Sequence, residues 1–131
     1  MDGGHRPVLG IDFGTTNTVI ALAGEAGVAE LVRFETPAGR TSSAFRSVLS
    51  FGEPARGQPG GAVEGGPWAI EAFLEDPEIT RLIQSFKTFA ASHAFSGTTI
   101  HGRRFQFEDL LTAFLRQARA RGGAAVQAEP G

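Results

Sequence analysis

Two apolar runs, 8–13 and 18–23, are separated only by Gly14-Thr-Thr-Asn17, and this spacing constrains the chain more than any other feature. The first run ends in Asp12-Phe13-Gly14 and reads as a buried strand. The second is rich in β-branched residues and reads as its neighbour. Gly14 and Asn17 tolerate the backbone angles of a tight turn, so the two runs are expected to fold back on each other. A turn over 24–27 and a third strand over 28–36 extend this into an antiparallel meander.

Further along, the turn 37–40 precedes an expected strand over 42–51. Glycine and proline crowd residues 52–67, which are expected to form a flexible loop without regular structure. A short helical stretch over 69–74 follows. Asp76 as N-cap and Pro77 at the first helical position then signal another helix, with Ile79, Leu82, Ile83, Phe86 and Ala90 at helical spacing. Residues 98–105 read as a strand.

The clearest periodicity comes last. Phe107, Leu110, Leu111, Phe114, Leu115 and Ala118 recur at three and four, which predicts an amphipathic helix. Glu108 and Asp109 at its start and Arg116, Arg119 and Arg121 near its end complement the helix dipole, and Gly122 supplies the stop. Residues 122–131 lack the apolar run of a further strand and are expected to be a disordered tail. There is no internal repeat.

Bulk properties narrow the function classes. The 131 residues suffice for one domain, and 41% are apolar, enough for a core. A net charge of −2 argues against binding driven by a nucleic-acid backbone. With no cysteine there is no disulfide framework, thiolate metal site or cysteine nucleophile. The apolar runs are too short to span a bilayer, and the N-terminus lacks a secretory h-region, so a soluble cytoplasmic protein is expected. His5, His93 and His101 are too scattered to suggest a metal site. Arg103 and Arg104 read as a solvated strand end.

The Gly14–Asn17 turn carries chemistry. A phosphate needs several N–H donors at close range and room for the backbone to approach. Gly14 gives the room, the amides of Thr15, Thr16 and Asn17 form an anion nest, and the two threonines add hydroxyls. Asp12 places one carboxylate where it can hold Mg²⁺ through water ligands. Asp12-Phe-Gly14 also occurs in protein kinases, but no glycine-rich or catalytic loop precedes it here.

The stretch Gly10-Ile-Asp-Phe-Gly-Thr-Thr-Asn-Thr18 resembles the first phosphate motif of the actin, sugar-kinase and heat-shock chaperone superfamily. It looks most like the seventy-kilodalton (DnaK-type) chaperones and their divergent bacterial relatives. Arg40-Thr-Ser-Ser with Ser47-Val-Leu-Ser-Phe51, Arg81-Leu-Ile-Gln-Ser-Phe-Lys87, and Arg103 to Phe107 leading into Glu108-Asp-Leu-Leu are similar to further family segments, in order. The resemblance implies an α/β fold: a ribonuclease-H-like, actin-like ATPase first lobe, with a mixed sheet, an antiparallel meander and helices. It implies that residues 1–131 are an incomplete nucleotide-binding domain, the second phosphate turn, the adenosine segment and the second catalytic aspartate lying downstream.

By position, Asp12 matches the magnesium-associated aspartate. Thr15 and Thr16 match the residues touching the terminal phosphates, and Gly14 and Asn17 complete the turn. Lys87 matches the catalytic lysine that orients the attacking water, on a family helix. Two positions depart from the family: Arg46 replaces a usual proline, and Ala90-Ala91 replaces an expected glycine. The implied cofactors are ATP or ADP with Mg. The implied partners of a complete version are unfolded polypeptide clients and co-chaperones, with no nucleic acid and no membrane. Two other readings stand beside this one. The chain is the N-terminal part of a sugar or acyl-phosphate kinase, or it is a non-enzymatic, truncated interaction module that self-associates through exposed sheet edges.

Overall fold

A computed structural model describes residues 8–24, 29–53, 62–91 and 97–122. Within them the chain is a small α/β fold of antiparallel sheets and two helices. Strand β1 (Val8–Phe13) pairs with β2 (Asn17–Ala23) in the register Phe13↔Thr18, so the hairpin turns where the sequence places it. The far edge of β2 is shared: β6 (Phe45–Arg46) pairs with its start and β3 (Ala29–Leu31) with its end. The 28–36 run therefore does not form one strand. It breaks after β3, and Phe34 and Glu35 form β4, which pairs with β5 (Thr41–Ser42).

A second sheet has the order β8-β7-β9, with β7 (Val48–Phe51) between β8 (Val63–Gly65) and β9 (Arg81–Gln84). Every residue of β7 is buried. Helix α1 (Pro67–Glu75) packs on this sheet, and so does α2 (Phe107–Arg121). Leu49, Phe51 and Ile83 point into one cluster with Leu110, Phe114 and Ala118 of α2. Successive residues of a strand face opposite ways, so Val48 points away from that cluster.

Phe114 is fully buried and stands at the centre of the core. Its ring lies 5.6 Å from Phe13 of β1, 5.6 Å from Phe86 and 5.7 Å from Phe45 of β6. Phe13 and Phe86 also touch, at 5.3 Å between centroids. One helix residue thereby ties the first sheet to the segment after β9. The helix that carries it starts on a reciprocal cap. The Gln106 side chain engages the Asp109 backbone, and Asp109 Oδ2 accepts the Gln106 N–H at 2.8 Å.

Several expectations are corrected. The helix foreseen after Asp76 is absent: Asp76 caps the end of α1, Pro77 sits in a turn closed by Thr80 N–H to Asp76 O, and residues 81–84 form β9. The helical spacing of Ile79, Leu82, Ile83 and Phe86 was produced by a turn, a strand and a 3₁₀ helix in succession, and Ile79 is exposed. Pairing of Ile83 with Leu49 in the buried sheet outweighs a local period of that length.

The loop expected over 52–67 contains β8 and Pro67, the first residue of α1, while 54–61 lies outside the described residues. Two of its glycines serve packing. A Cβ on Gly65 would come within 2.7 Å of Gln117 Cβ, and one on Gly66, at φ +62°, within 2.5 Å of the Phe45 ring. The 42–51 strand is interrupted by a bend in which Ala44 N–H donates to Ser42 Oγ. Residues 98–105 are two strands, β10 (Thr98–Ile100) and β11 (Arg103–Phe105), turned by His101 and Gly102 at positive φ.

The meander is present, but all pairings among the described residues are antiparallel, where a mixed sheet was expected. Strand β1 forms where expected but is not buried. Val8, Leu9 and Ile11 are 66%, 38% and 46% exposed, because among the described residues only β2 flanks it. Of the expected disordered tail over 122–131, Gly122 caps α2 and 123–131 lie outside the described residues. Among the described residues no helix is long and apolar enough to cross a membrane.

Truncating Phe114 removes the contact between all three segments at once. Phe114→Ala is expected to lower stability by about 3–5 kcal/mol. Denaturant unfolding followed by circular dichroism measures it, and a loss under about 1 kcal/mol would show that the cluster does not organise the core.

Candidate phosphate-binding site

The β1–β2 turn is tight for a local reason. Gly14 N–H donates to Asn17 O at 2.9 Å, and a Cβ on Gly14 would sit 2.5 Å from that same oxygen. Real Cβ atoms do not approach a carbonyl so closely, so only glycine closes the turn in this form. Thr15, Thr16 and Asn17 are all exposed. The amides of Thr15 and Thr16 donate to no backbone carbonyl among the described residues. These are the free N–H groups an anion nest requires.

The turn is pinned from beneath. Ser47 N–H donates to Thr16 O at 2.8 Å, and the buried hydroxyls of Ser47 and Thr18 are hydrogen-bonded at 2.8 Å. A buried hydroxyl pair holds only when both partners are in place, so β6 and β7 fix the turn against β2. Sequence reasoning placed Ser47 in a family segment but gave it no role at the turn.

Register sorts the side chains by face. Phe13, Thr18 and Phe45 point into the core. Asp12, Asn17 and Arg46 alternate with them and share the opposite, solvent-facing side. The Asp12 carboxylate is exposed and is in no ion pair with a described residue. Arg46 stands directly across from Asn17.

Lys87 lies on a 3₁₀ helix, Phe86–Ala91, and not on the longer helix expected from the sequence. Ser85 precedes it at φ +54°, an uncommon angle for a residue with a side chain. Thr88 stabilises the bend, its amide and hydroxyl both donating to Ser85 O, at 3.2 and 2.8 Å. The chain thus turns so that Phe86 is buried and Lys87 exposed. The Phe13–Phe86 contact at 5.3 Å brings the immediate neighbours of Asp12–Gly14 and of Lys87 together. Residues 73 positions apart thereby adjoin, though the two segments share no backbone hydrogen bond among the described residues.

Among the described residues no three His, Asp or Glu side chains converge as metal ligands. One exposed carboxylate beside free amides and hydroxyls has the donor set of a magnesium shared with phosphate oxygens and water, not of an all-protein cage. Away from the turn, a surface depression of about 380 Å³ is lined by the β4–β5 hairpin and Trp68, and it contains none of the turn residues. The sequence matches no protein-family profile, and comparisons with curated proteins and with solved structures find no similar protein.

Gly14→Ala tests the turn directly. The added methyl must displace Asn17 O, so we expect stability to fall by about 1–3 kcal/mol and the Thr15–Asn17 amide resonances to shift. A variant as stable as the parent, with an unchanged amide spectrum, would show the turn is not held in this form.

Proposed function

We propose that this chain is the phosphate-binding first lobe of an actin-like ATPase of heat-shock chaperone type, with a ribonuclease-H-like core. The observation that carries the reading is the Phe13–Phe86 contact, which sets the segment bearing Lys87 beside the turn bearing Asp12 and Gly14. The free turn amides and the Gly14 close approach support it independently.

In this reading Gly14 admits a phosphate to the backbone, and the Thr15 and Thr16 amides and hydroxyls donate to its oxygens. Asp12 would hold Mg²⁺ through water ligands. Bound Mg²⁺ would neutralise part of the phosphate charge. Lys87, matched to the family's catalytic lysine by the resemblance, would supply a compact positive charge for the charge that develops on the γ-phosphate and for orienting the attacking water. The donors sit on rigid elements, so their entropy of placement is already spent. One wall of a site touches phosphates without enclosing them, so turnover by these residues alone is negligible. In the complete cytoplasmic protein, ATP turnover would drive a conformational change that acts on unfolded polypeptide, with co-chaperones as partners. The Lys87 segment favours this over a sugar or acyl-phosphate kinase.

Isothermal titration with Mg-ATP is the test. Heat of binding at submillimolar to millimolar nucleotide, abolished by Asp12→Ala, is the expected result. Absence of binding at millimolar Mg-ATP, or binding indifferent to Asp12→Ala, would remove the nucleotide reading for this chain.

A second reading, an interaction module that self-associates, is favoured by β1, which among the described residues is an edge strand with Val8, Leu9 and Ile11 exposed. On that reading, sedimentation velocity shows species heavier than the 13.8 kDa monomer as concentration rises, and Ile11→Lys reverses the effect. A monomer at every concentration would dismiss it.

A further inference from the structure

We infer that Arg46 is a phosphate-contacting residue of the turn site; the inference rests on the nucleotide reading above and deepens it. The β2–β6 bridge sets Arg46 directly opposite Asn17, so both side chains leave the sheet on one face. Opposed residues of an antiparallel pair have Cβ atoms about 5 Å apart. The guanidinium therefore starts within side-chain reach of the Thr15–Asn17 amides.

Its anchorage is firm. Phe45 and Ser47, on either side, are buried, and the Ser47 amide is the one that pins Thr16 O. The backbone of Arg46 is thus fixed relative to the turn, while its side chain is exposed and makes no ion pair or hydrogen bond among the described residues. A cation held this way and left without a partner is suited to an arriving anion.

The charges on this face point the same way. Asp12 is the carboxylate of the site, and it repels a phosphate unless a positive charge intervenes. An arginine fork offers two parallel N–H donors to phosphate oxygens and stays charged at any physiological pH. Arg46 then offsets Asp12 within the protein itself, so affinity for a phosphate chain depends on Mg²⁺ less than Asp12 alone would dictate. The ligand class is a di- or triphosphate, and the terminal phosphates are the part that Arg46 engages.

The test is a titration of the ¹⁵N-labelled chain with ATP, AMP and inorganic triphosphate, each with and without Mg²⁺. The amides of Thr15 and Thr16 and the Arg46 side-chain Nε–H are followed. Binding of ATP or triphosphate is expected to shift all three, with AMP at least tenfold weaker. A response to ATP alone assigns the site to nucleotide, and an equal response to triphosphate assigns it to the phosphate chain. Arg46→Gln is expected to weaken the response about tenfold or more, and Arg46→Lys to retain part of it. Wild-type binding undiminished in Arg46→Gln would overturn the assignment of Arg46 while leaving the turn as the site. Equal loss in the Gln and Lys variants would also overturn it, showing a structural effect. Silence of the turn amides to every ligand in the wild type would remove the nucleotide reading, and Arg46 with it.

Discussion

Phe114 is the contact on which the rest of the structure depends. Neither the β1–β2 meander nor the β7–β9 sheet has a buried face of its own large enough to stand alone, and two-stranded hairpins are marginal in water. The ring of Phe114 meets Phe13 and Phe45 at a tilt and Phe86 edge-on, so helix, meander and the post-β9 bend bury a shared face. Aromatic pairs of this kind add about 0.5–1.5 kcal/mol each beyond area burial. More important is where they fall. The inward residue nearest the turn on β1 is Phe13, and the inward residue nearest Lys87 is Phe86, so the same cluster that makes the core also sets the spacing of the proposed site.

Around that cluster the turn is held by polar and steric constraints with little freedom. Gly14 approaches Asn17 O too closely for a side chain. Thr18 and Ser47 satisfy each other where no water is needed. Thr16 is tethered through its carbonyl, and its amide donates to no backbone carbonyl among the described residues. A site prepared this way has few conformations to lose when a ligand arrives.

The sequence made some of this legible. Helix α2 was readable because its apolar period runs long enough to outvote chance, and the charges at both ends agreed with it. The hairpin was readable because Gly14 and Asn17 sit between two apolar runs, the second rich in β-branched residues. The helix placed after Asp76 was not, because its apparent period joined three unrelated elements; Ile83 answers to Leu49, 34 positions earlier, and no local window contains that pairing. Gly65 and Gly66 were misread with their glycine-rich neighbours, since a packing glycine and a loop glycine look alike until the opposing Gln117 and Phe45 are known. Exposure of β1 likewise depends on what does or does not lie beside it. At the site, Asp12, Gly14, Thr15, Thr16 and Asn17 come from one contiguous stretch and could be named together. Arg46 carried a signal, as an arginine where the family the sequence resembles usually has proline, but the role proposed for it required the β2–β6 register.

Trp68 has a use that follows from its surroundings. It is the single tryptophan of a chain without tyrosine. Its Nε1–H donates to Glu35 O at 2.9 Å, and the Arg121 guanidinium lies over its ring at 3.6 Å, itself bridged to Glu64 at 3.3 Å. One indole thus joins β4, the first turn of α1 and the last turn of α2. Its fluorescence is a built-in optical gauge of whether those three elements are docked, with no label and no competing emitter. Because Trp68 belongs to neither the turn nor the Lys87 segment, that signal reports global assembly, and ligand occupancy at the turn is left to be read by other probes.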